Sequence, residues 1–257
     1  MSSSSEITGP LTAAHVADFR RDGFVVVRGF YDAAEMVDIT GWVEEVQKWP
    51  ETPGKWMMYF EESAAGERIL NRVENVPPFH EGFARLTGGD KMLAACGQLF
   101  GEPAVLFKDK INFKMPGGGG FEPHQDVQAG WARYASIHIT SLVTIDRATV
   151  ENGCLEMARG FRGHDLIGAE WTPLTEGNLA GVEFEKVEAE PGDAVFFDSF
   201  IPHQSAPNRT DAPRRVLYYT YNKTAEGDHL AQYYADKRES YPPDVEREDG
   251  KEYHYRV

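Results

Sequence analysis

The sequence predicts an α+β protein in which N-terminal helices flank an antiparallel β core of the barrel or jelly-roll kind. Three observations carry that expectation. Up to about residue 102, apolar residues recur at helical spacing, as in Met36, Ile39, Trp42, Val43 and Val46. From Pro103 the texture changes to short apolar or alternating segments divided by Gly, Pro, Asn and Asp. Hydrophobic residues make up 41% of the 257 residues and aromatics 12%, enough for one sizeable core.

Taken in order, residues 1–10 read as a disordered tail and 11–257 as a single domain. Leu11-Thr12 opens a helix with Val16 and Phe19 on one face, and Asp22-Gly23 ends it. The β-branched run from Phe24 to Phe30 predicts a strand. Asp32 caps a second helix, which Pro50 stops. Residues 51–78, with two proline clusters, are expected to be irregular. A third helix is expected over 79–100, broken near Gly88-Gly89. Strands are expected near 104–115, 136–145, 153–158, 182–189, 194–198 and 215–221, giving a β core over about 103–222. A helical extension from about Asp228 to Tyr241 follows.

Lys and Arg number 26 against 41 Asp and Glu, a formal net charge of −15. Such a field repels phosphate backbones and anionic membranes, so a small molecule is the expected partner rather than nucleic acid or a membrane. The two cysteines, Cys96 and Cys154, suggest neither a zinc module nor a disulfide framework. The start, Met1-Ser2-Ser3-Ser4-Ser5-Glu6, lacks the basic flank and apolar stretch of a signal peptide. No run approaches the ~18 apolar residues of a membrane span. A cytoplasmic protein is the simplest expectation.

Chemistry enters at His124-Gln125-Asp126. On a strand, residues i and i+2 share a face, so an imidazole and a carboxylate at this spacing can reach one metal ion. Alone, the triplet also reads as a polar loop after Gly117 to Gly120. A second segment, Pro191-Gly192-Asp193, launches an apolar strand, and His203 lies beyond its end. Two histidines and one carboxylate on one face leave three positions of an octahedral Fe(II) open, enough for a bidentate keto acid and O2. Arg214 follows where a returning strand would bring a guanidinium beside the metal, suited to gripping a carboxylate bidentately. By itself, Arg214-Arg215 reads as a solvated pair.

With these segments in order, the sequence resembles the phytanoyl-CoA dioxygenase family of 2-oxoglutarate oxygenases, over about residues 12 to 221. His124-Gln125-Asp126 looks like its His-x-Asp motif, Asn152-Gly153-Cys154-Leu155 like its Asn-Gly-x-Leu strand, and Pro191 to Ser205 like its distal-histidine strand, with Asn208 and Arg214 in the expected places. Asp22-Gly23-Phe24-Val25-Val26-Val27 matches its usual opening. One departure is Met157-Ala158-Arg159-Gly160, where the family commonly has Pro-Gly-Ser-His; His164 is given no role.

The resemblance implies a double-stranded β-helix, that is, a jelly roll. It implies Fe(II), 2-oxoglutarate and O2 as cofactors, with His124, Asp126 and His203 as metal ligands. It further implies that Arg214 and Ser205 bind the distal carboxylate of 2-oxoglutarate. Lys108, Lys110, Asn112 and Lys114 alternate with Asp109, Ile111, Phe113 and Met115 on one strand; of these, Lys108 and Asn112 match the family's cosubstrate contacts best by position.

Substrate contacts are expected from Arg72, Glu74, Trp131, Arg133 and Tyr134, with Trp56 a further aromatic wall; packing and surface charge are the ordinary roles of each. The segments around Lys110 to Lys114 and His124 to Trp131 are similar to phosphonate hydroxylases of the family. They point to hydroxylation at the carbon beside phosphorus in a 2-aminoethylphosphonate-type compound. Two other classes stay open: a jelly-roll metal enzyme that does not use 2-oxoglutarate, against which Arg214 argues, and a non-catalytic binding protein, against which the complete ligand set argues.

Overall fold

The computed structural model describes residues 7–161 and 164–253. Helix α1 (Ala13–Asp22) begins at Thr12, whose hydroxyl accepts from the His15 amide, and ends at Gly23, which is left-handed at φ 80°. Strand β1 (Phe24–Val27) and helix α2 (Ala33–Gln47) follow, the latter capped by Asp32 as expected. Residues 1–6 of the expected tail lie outside the described residues. Leu11 is already tied down, exchanging two 2.9 Å hydrogen bonds with the Gln98 carboxamide.

The expectation for residues 51–78 is corrected. They contain a hairpin, β2 (Met57–Glu62) and β3 (Arg68–Glu74), between the two proline clusters. The run Met57-Met58-Tyr59-Phe60 does not alternate, because the hairpin extends a sheet that is covered on both faces, and this hides the strand period. The expected third helix is two, α3 (Glu81–Gly88) and α4 (Asp90–Phe100), split at Gly89.

The β core continues with β4 (Ala104–Lys114), β5 (Phe121–His124), β6 (Ile139–Thr144), β7 (Leu155–Ala158), β8 (Phe184–Val187), β9 (Ala194–Asp198), β10 (His203–Ser205) and β11 (Arg214–Lys223). Helix α5 (Leu230–Ser240) closes the order. Strands β5 and β10 fall outside the strand ranges expected, although the spacing of His124 and Asp126 suggested a strand at the first. The first holds Pro123, tolerable because β5 is an edge strand, and the second is three residues long between Pro202 and Pro207.

Seven strands form the larger sheet in the order β1-β9-β6-β11-β4-β3-β2, and four form the smaller one, β5-β10-β7-β8. Phe24, Leu142, Val195, Phe197 and Val216 of the larger sheet cluster with Leu155, Met157 and Val187 of the smaller one. A larger cluster sets α1, α2 and α4, through Phe19, Ile39, Val43 and Met92, against Ile111, Phe113, Leu217 and Tyr219. The alternate residues of β4 and β11 therefore turn inward, between the sheets. This is the jelly roll with N-terminal helices that the sequence predicted. Among the described residues, no helix is long and apolar enough to cross a membrane.

Candidate metal centre and active site

Strands β5 and β10 pair so that His203 stands directly opposite His124, with ring centroids 4.3 Å apart. The strand alternation expected for His124 and Asp126 is corrected, because the chain leaves β5 at Gln125 and enters a 3-10 turn over Asp126–Ala129. Gln125 is fully buried. Its carboxamide donates to the carbonyls of Phe200 (2.6 Å) and Asp165 (3.0 Å) and accepts from the Ile167 amide (2.9 Å). That anchorage turns Asp126 back toward the two histidines. Its Oδ1 lies 3.9 Å from His124 Nε2 and 3.8 Å from His203 Nε2, and one ligand atom from each residue lies within 4.8 Å of the others.

The remaining polar atoms of the triad are occupied. His124 Nδ1 donates to the Glu122 carbonyl at 2.7 Å and His203 Nδ1 to that of Ile201 at 3.0 Å. Both Nε2 atoms thus present lone pairs to the shared space. Thr140 Oγ1 donates to Asp126 Oδ2 at 3.0 Å, leaving Oδ1 for the metal. Burial, aided by His203, pushes the His124 pKa down to about 3. Burial alone would raise Asp126, but His203, His124 and nearby lysines outweigh it and hold the carboxyl below its ordinary range. An unprotonated imidazole and an ionised carboxylate are the states a cation requires. The donor set, facial and of mixed nitrogen and oxygen, fits Fe(II).

Beside the triad runs the inner face of β4 and β11. The register pairs Arg214 with Lys114, Val216 with Asn112, Tyr218 with Lys110 and Thr220 with Lys108. Arg214 is 2% exposed and donates to the Asn152 carbonyl at 3.2 Å. Lys114 Nζ reaches Ser205 Oγ at 2.8 Å and the Ala206 carbonyl at 2.5 Å. Burial and then Arg214 push Lys114 down to about 7. Among the described residues no carboxylate pairs with either cation, so this end of the face is built to receive an anion. Asn112 stands between this end and the triad, its Oδ1 buried without a hydrogen-bond partner among the described residues.

Lys108 lies six positions along β4 from Lys114, roughly 20 Å at strand rise. The structure thus brings Lys114, not Lys108, to Ser205 and Arg214. Lys108 Nζ instead lies over the Trp131 and Tyr233 rings at 5.1 and 5.3 Å.

A cavity of about 580 Å³ joins these groups. Of the residues considered for substrate contacts, Glu74, Trp131, Arg133 and Tyr134 line it. Arg72 stands behind Glu74, its Nε 2.8 Å from Glu74 Oε1 and its guanidinium over the Tyr59 ring. Trp56 is elsewhere, packed on Trp49 at 4.2 Å. His164 lies 3.2 Å from Asp198. Several lining residues were not anticipated: Thr140 of β6, Tyr218 and Thr220 of β11, and Tyr233, Asp236 and Lys237 of α5. Polar residues alternating along 214–220 could have signalled the β11 positions. Nothing local marks α5 as a cavity wall.

A facial site of two histidines and one carboxylate, set between the sheets of a jelly roll, defines a non-haem iron oxygenase. Comparison with known proteins narrows this. The phytanoyl-CoA dioxygenase (PhyH) family profile matches residues 19–216. A 2-aminoethylphosphonate dioxygenase from an uncultured bacterium is 42% identical over 244 residues, covering 94% of this chain and 93% of that one. A methylphosphonate hydroxylase from Gimesia maris is 40% identical over 232 residues, covering 90% and 88%. In fold, the chain is similar to EctD from S. alaskensis, solved in its apoform (TM-score 0.73, 20% identity, 85% of this chain and 79% of that one). The chain belongs to the phytanoyl-CoA dioxygenase family. It is a dioxygenase with iron, 2-oxoglutarate and O2 as its cofactors.

Proposed function

We propose that this protein hydroxylates the carbon beside phosphorus in a 2-aminoethylphosphonate-type compound. The observation that carries the reading is the charge of the cavity's inner wall. Lys108, Lys110 and Lys237 face the cavity, with Arg72 standing behind Glu74, in a chain whose net charge is −15. Cationic side chains facing an enclosed space offer the charge-assisted donors that a phosphonate dianion requires. The relatives named for phosphonate substrates support the same class.

In this reading His124, Asp126 and His203 hold the iron. Arg214 and Lys114 take the distal carboxylate of 2-oxoglutarate with Ser205 beside them, and Asn112 offers its carboxamide to the same molecule. Lys108, first expected there, belongs to the substrate end. When bound, iron and 2-oxoglutarate supply O2 activation coupled to loss of CO2 and formation of succinate. The chain's own part is positional. The Thr140 hydroxyl fixes the Asp126 carboxylate, and the two backbone-bonded Nδ1 atoms fix the imidazole planes. Trp131, Tyr134 and Tyr233 exclude water around the bound substrate. Cytoplasmic 2-oxoglutarate is the natural supply of cosubstrate.

A screen for substrate-stimulated succinate release tests the proposal. It should respond to 2-aminoethylphosphonate or its N-methylated forms. A response only to phosphorus-free metabolites refutes the substrate and leaves the iron and 2-oxoglutarate assignments standing.

A further inference from the structure

The segment common to the family ends at Val216, yet part of the cavity wall lies beyond it. Helix α5 lays Tyr233, Asp236 and Lys237 along the cavity, and Lys237 Nζ meets Glu74 Oε2 at 2.5 Å. The Glu74 carboxylate is 1% exposed and fully engaged, with Arg72 on Oε1 and Lys237 on Oε2. Lys237 is 14% exposed, and its ammonium also lies 5.4 Å from the Tyr59 ring and 5.9 Å from the Tyr233 ring. A buried ion pair of this kind is a weak source of stability, since desolvation offsets much of the attraction. As a tether it is also redundant. Tyr234 OH donates to Asp109 Oδ1 at 2.7 Å and accepts from the Asn75 amide at 3.1 Å, and Arg238 donates to the Lys55 carbonyl at 2.6 Å. The helix is held without Lys237.

A 2-aminoethylphosphonate-type molecule is itself a zwitterion, with its two charges a few bonds apart. Inserted beside Lys237 and Glu74, it can exchange partners with the resident pair without leaving a buried charge uncompensated. Lys108 stands ready as the second cation, held against the Trp131 and Tyr233 rings rather than against a carboxylate. We propose that Lys237 is the specificity-determining contact for the substrate's phosphonate, and that Glu74, relinquished by Lys237, receives the substrate's ammonium group. This rests on the phosphonate reading above and adds to it which residues recognise each charge. Selection for the dianion thereby resides in a helix outside the family-wide segment.

The test measures binding by calorimetry to the anaerobic Fe(II)·2-oxoglutarate enzyme, with 2-aminoethylphosphonate and ethylphosphonate as probes. Lys237→Met should weaken both phosphonates about 30-fold or more, the usual consequence of removing one partner of a buried charged pair. The 2-oxoglutarate affinity should stay at its wild-type value even as the melting temperature falls because Glu74 loses one of its two buried partners, and Lys237→Arg should recover most of the phosphonate binding. Glu74→Gln should instead erase the preference for 2-aminoethylphosphonate over ethylphosphonate, and this variant carries the test if Lys237→Met does not fold. Wild-type binding of both probes in Lys237→Met, or an unchanged amine preference in Glu74→Gln, overturns the proposal while leaving the phosphonate reading intact. If the wild type binds neither probe, a phosphate monoester and an aminoalkyl sulfonate replace them. Lys237-dependent binding of either keeps the anion site and removes the phosphonate reading, and binding of none removes both.

Discussion

At the scale of single residues, the account rests on a few atoms whose alternatives have been closed off. Both histidine Nδ1 atoms are spent on backbone carbonyls and Asp126 Oδ2 on Thr140, so each ligand has one atom left for iron. His124→Ala, Asp126→Ala and His203→Ala should each abolish turnover and weaken Fe(II) binding, since a face of three ligands has none to spare; full turnover in any of them removes that residue from the ligand set. Arg214→Ala should raise the 2-oxoglutarate requirement roughly 30-fold, the equivalent of about 2 kcal/mol at the low end for a stranded carboxylate, while iron stays bound. Arg215→Ala is the control, because its guanidinium is occupied by Asp146 at 2.8 Å. Lys114 adds a pH dependence. Burial and Arg214 hold it at about 7 in the free site, and a neighbouring carboxylate raises it on binding. A pKa raised by the ligand means affinity is full below pH 7 and falls as pH rises through the bound value. The 2-oxoglutarate Kd measured across that window should therefore increase with pH, and Lys114→Met should flatten the profile at a weaker overall affinity.

At the scale of elements, the metal centre is a joint between an edge strand and a short turn, and Gln125 is its pin. Its carboxamide makes three hydrogen bonds, to Asp165, Ile167 and Phe200, and its backbone amide donates to the Gln128 side chain at 2.8 Å. Gln125→Ala should lower stability by about 1–3 kcal/mol, the usual loss when buried partners are left unsatisfied. It should also weaken Fe(II) binding although it touches no metal; a variant with normal iron affinity and an unchanged melting temperature contradicts the role. This joint shows how far the sequence could be read. His124, Asp126, His203 and Arg214 were recognisable because their order along the chain is distinctive. The means of convergence was not, since spacing of two suggests a strand face and the chain instead uses a 3-10 turn. The β2–β3 hairpin was hidden for a related reason: flanking prolines and an unbroken apolar run carry no period. Lys108 was favoured over Lys114 because alternation along β4 identifies a face but not which end meets Arg214. The antiparallel register with β11 decides that.

At the scale of the whole molecule, helices back the larger sheet and turn its alternate residues inward, so β4 and β11 deliver a row of cations to an enclosed space in an otherwise acidic chain. One end of that row, at Arg214 and Lys114, suits the cosubstrate carboxylate. The other, at Lys108 with Lys237 from α5, suits a second anion, and the triad stands between. The sequence predicted the jelly roll and the cofactors and pointed to the phosphonate class proposed above, but the closing wall comes from a distant helix whose arrival no local pattern announces. The most direct test of the central claim is product analysis. The Fe(II) enzyme is given 2-oxoglutarate, isotopically labelled O2 and 2-aminoethylphosphonate, or its N-methylated forms, and the products are read by phosphorus NMR and mass spectrometry. The account predicts one hydroxylated phosphonate per succinate, with the label on the carbon bonded to phosphorus. Succinate formed at the same rate with and without every phosphonate, and no labelled phosphonate product, would contradict it.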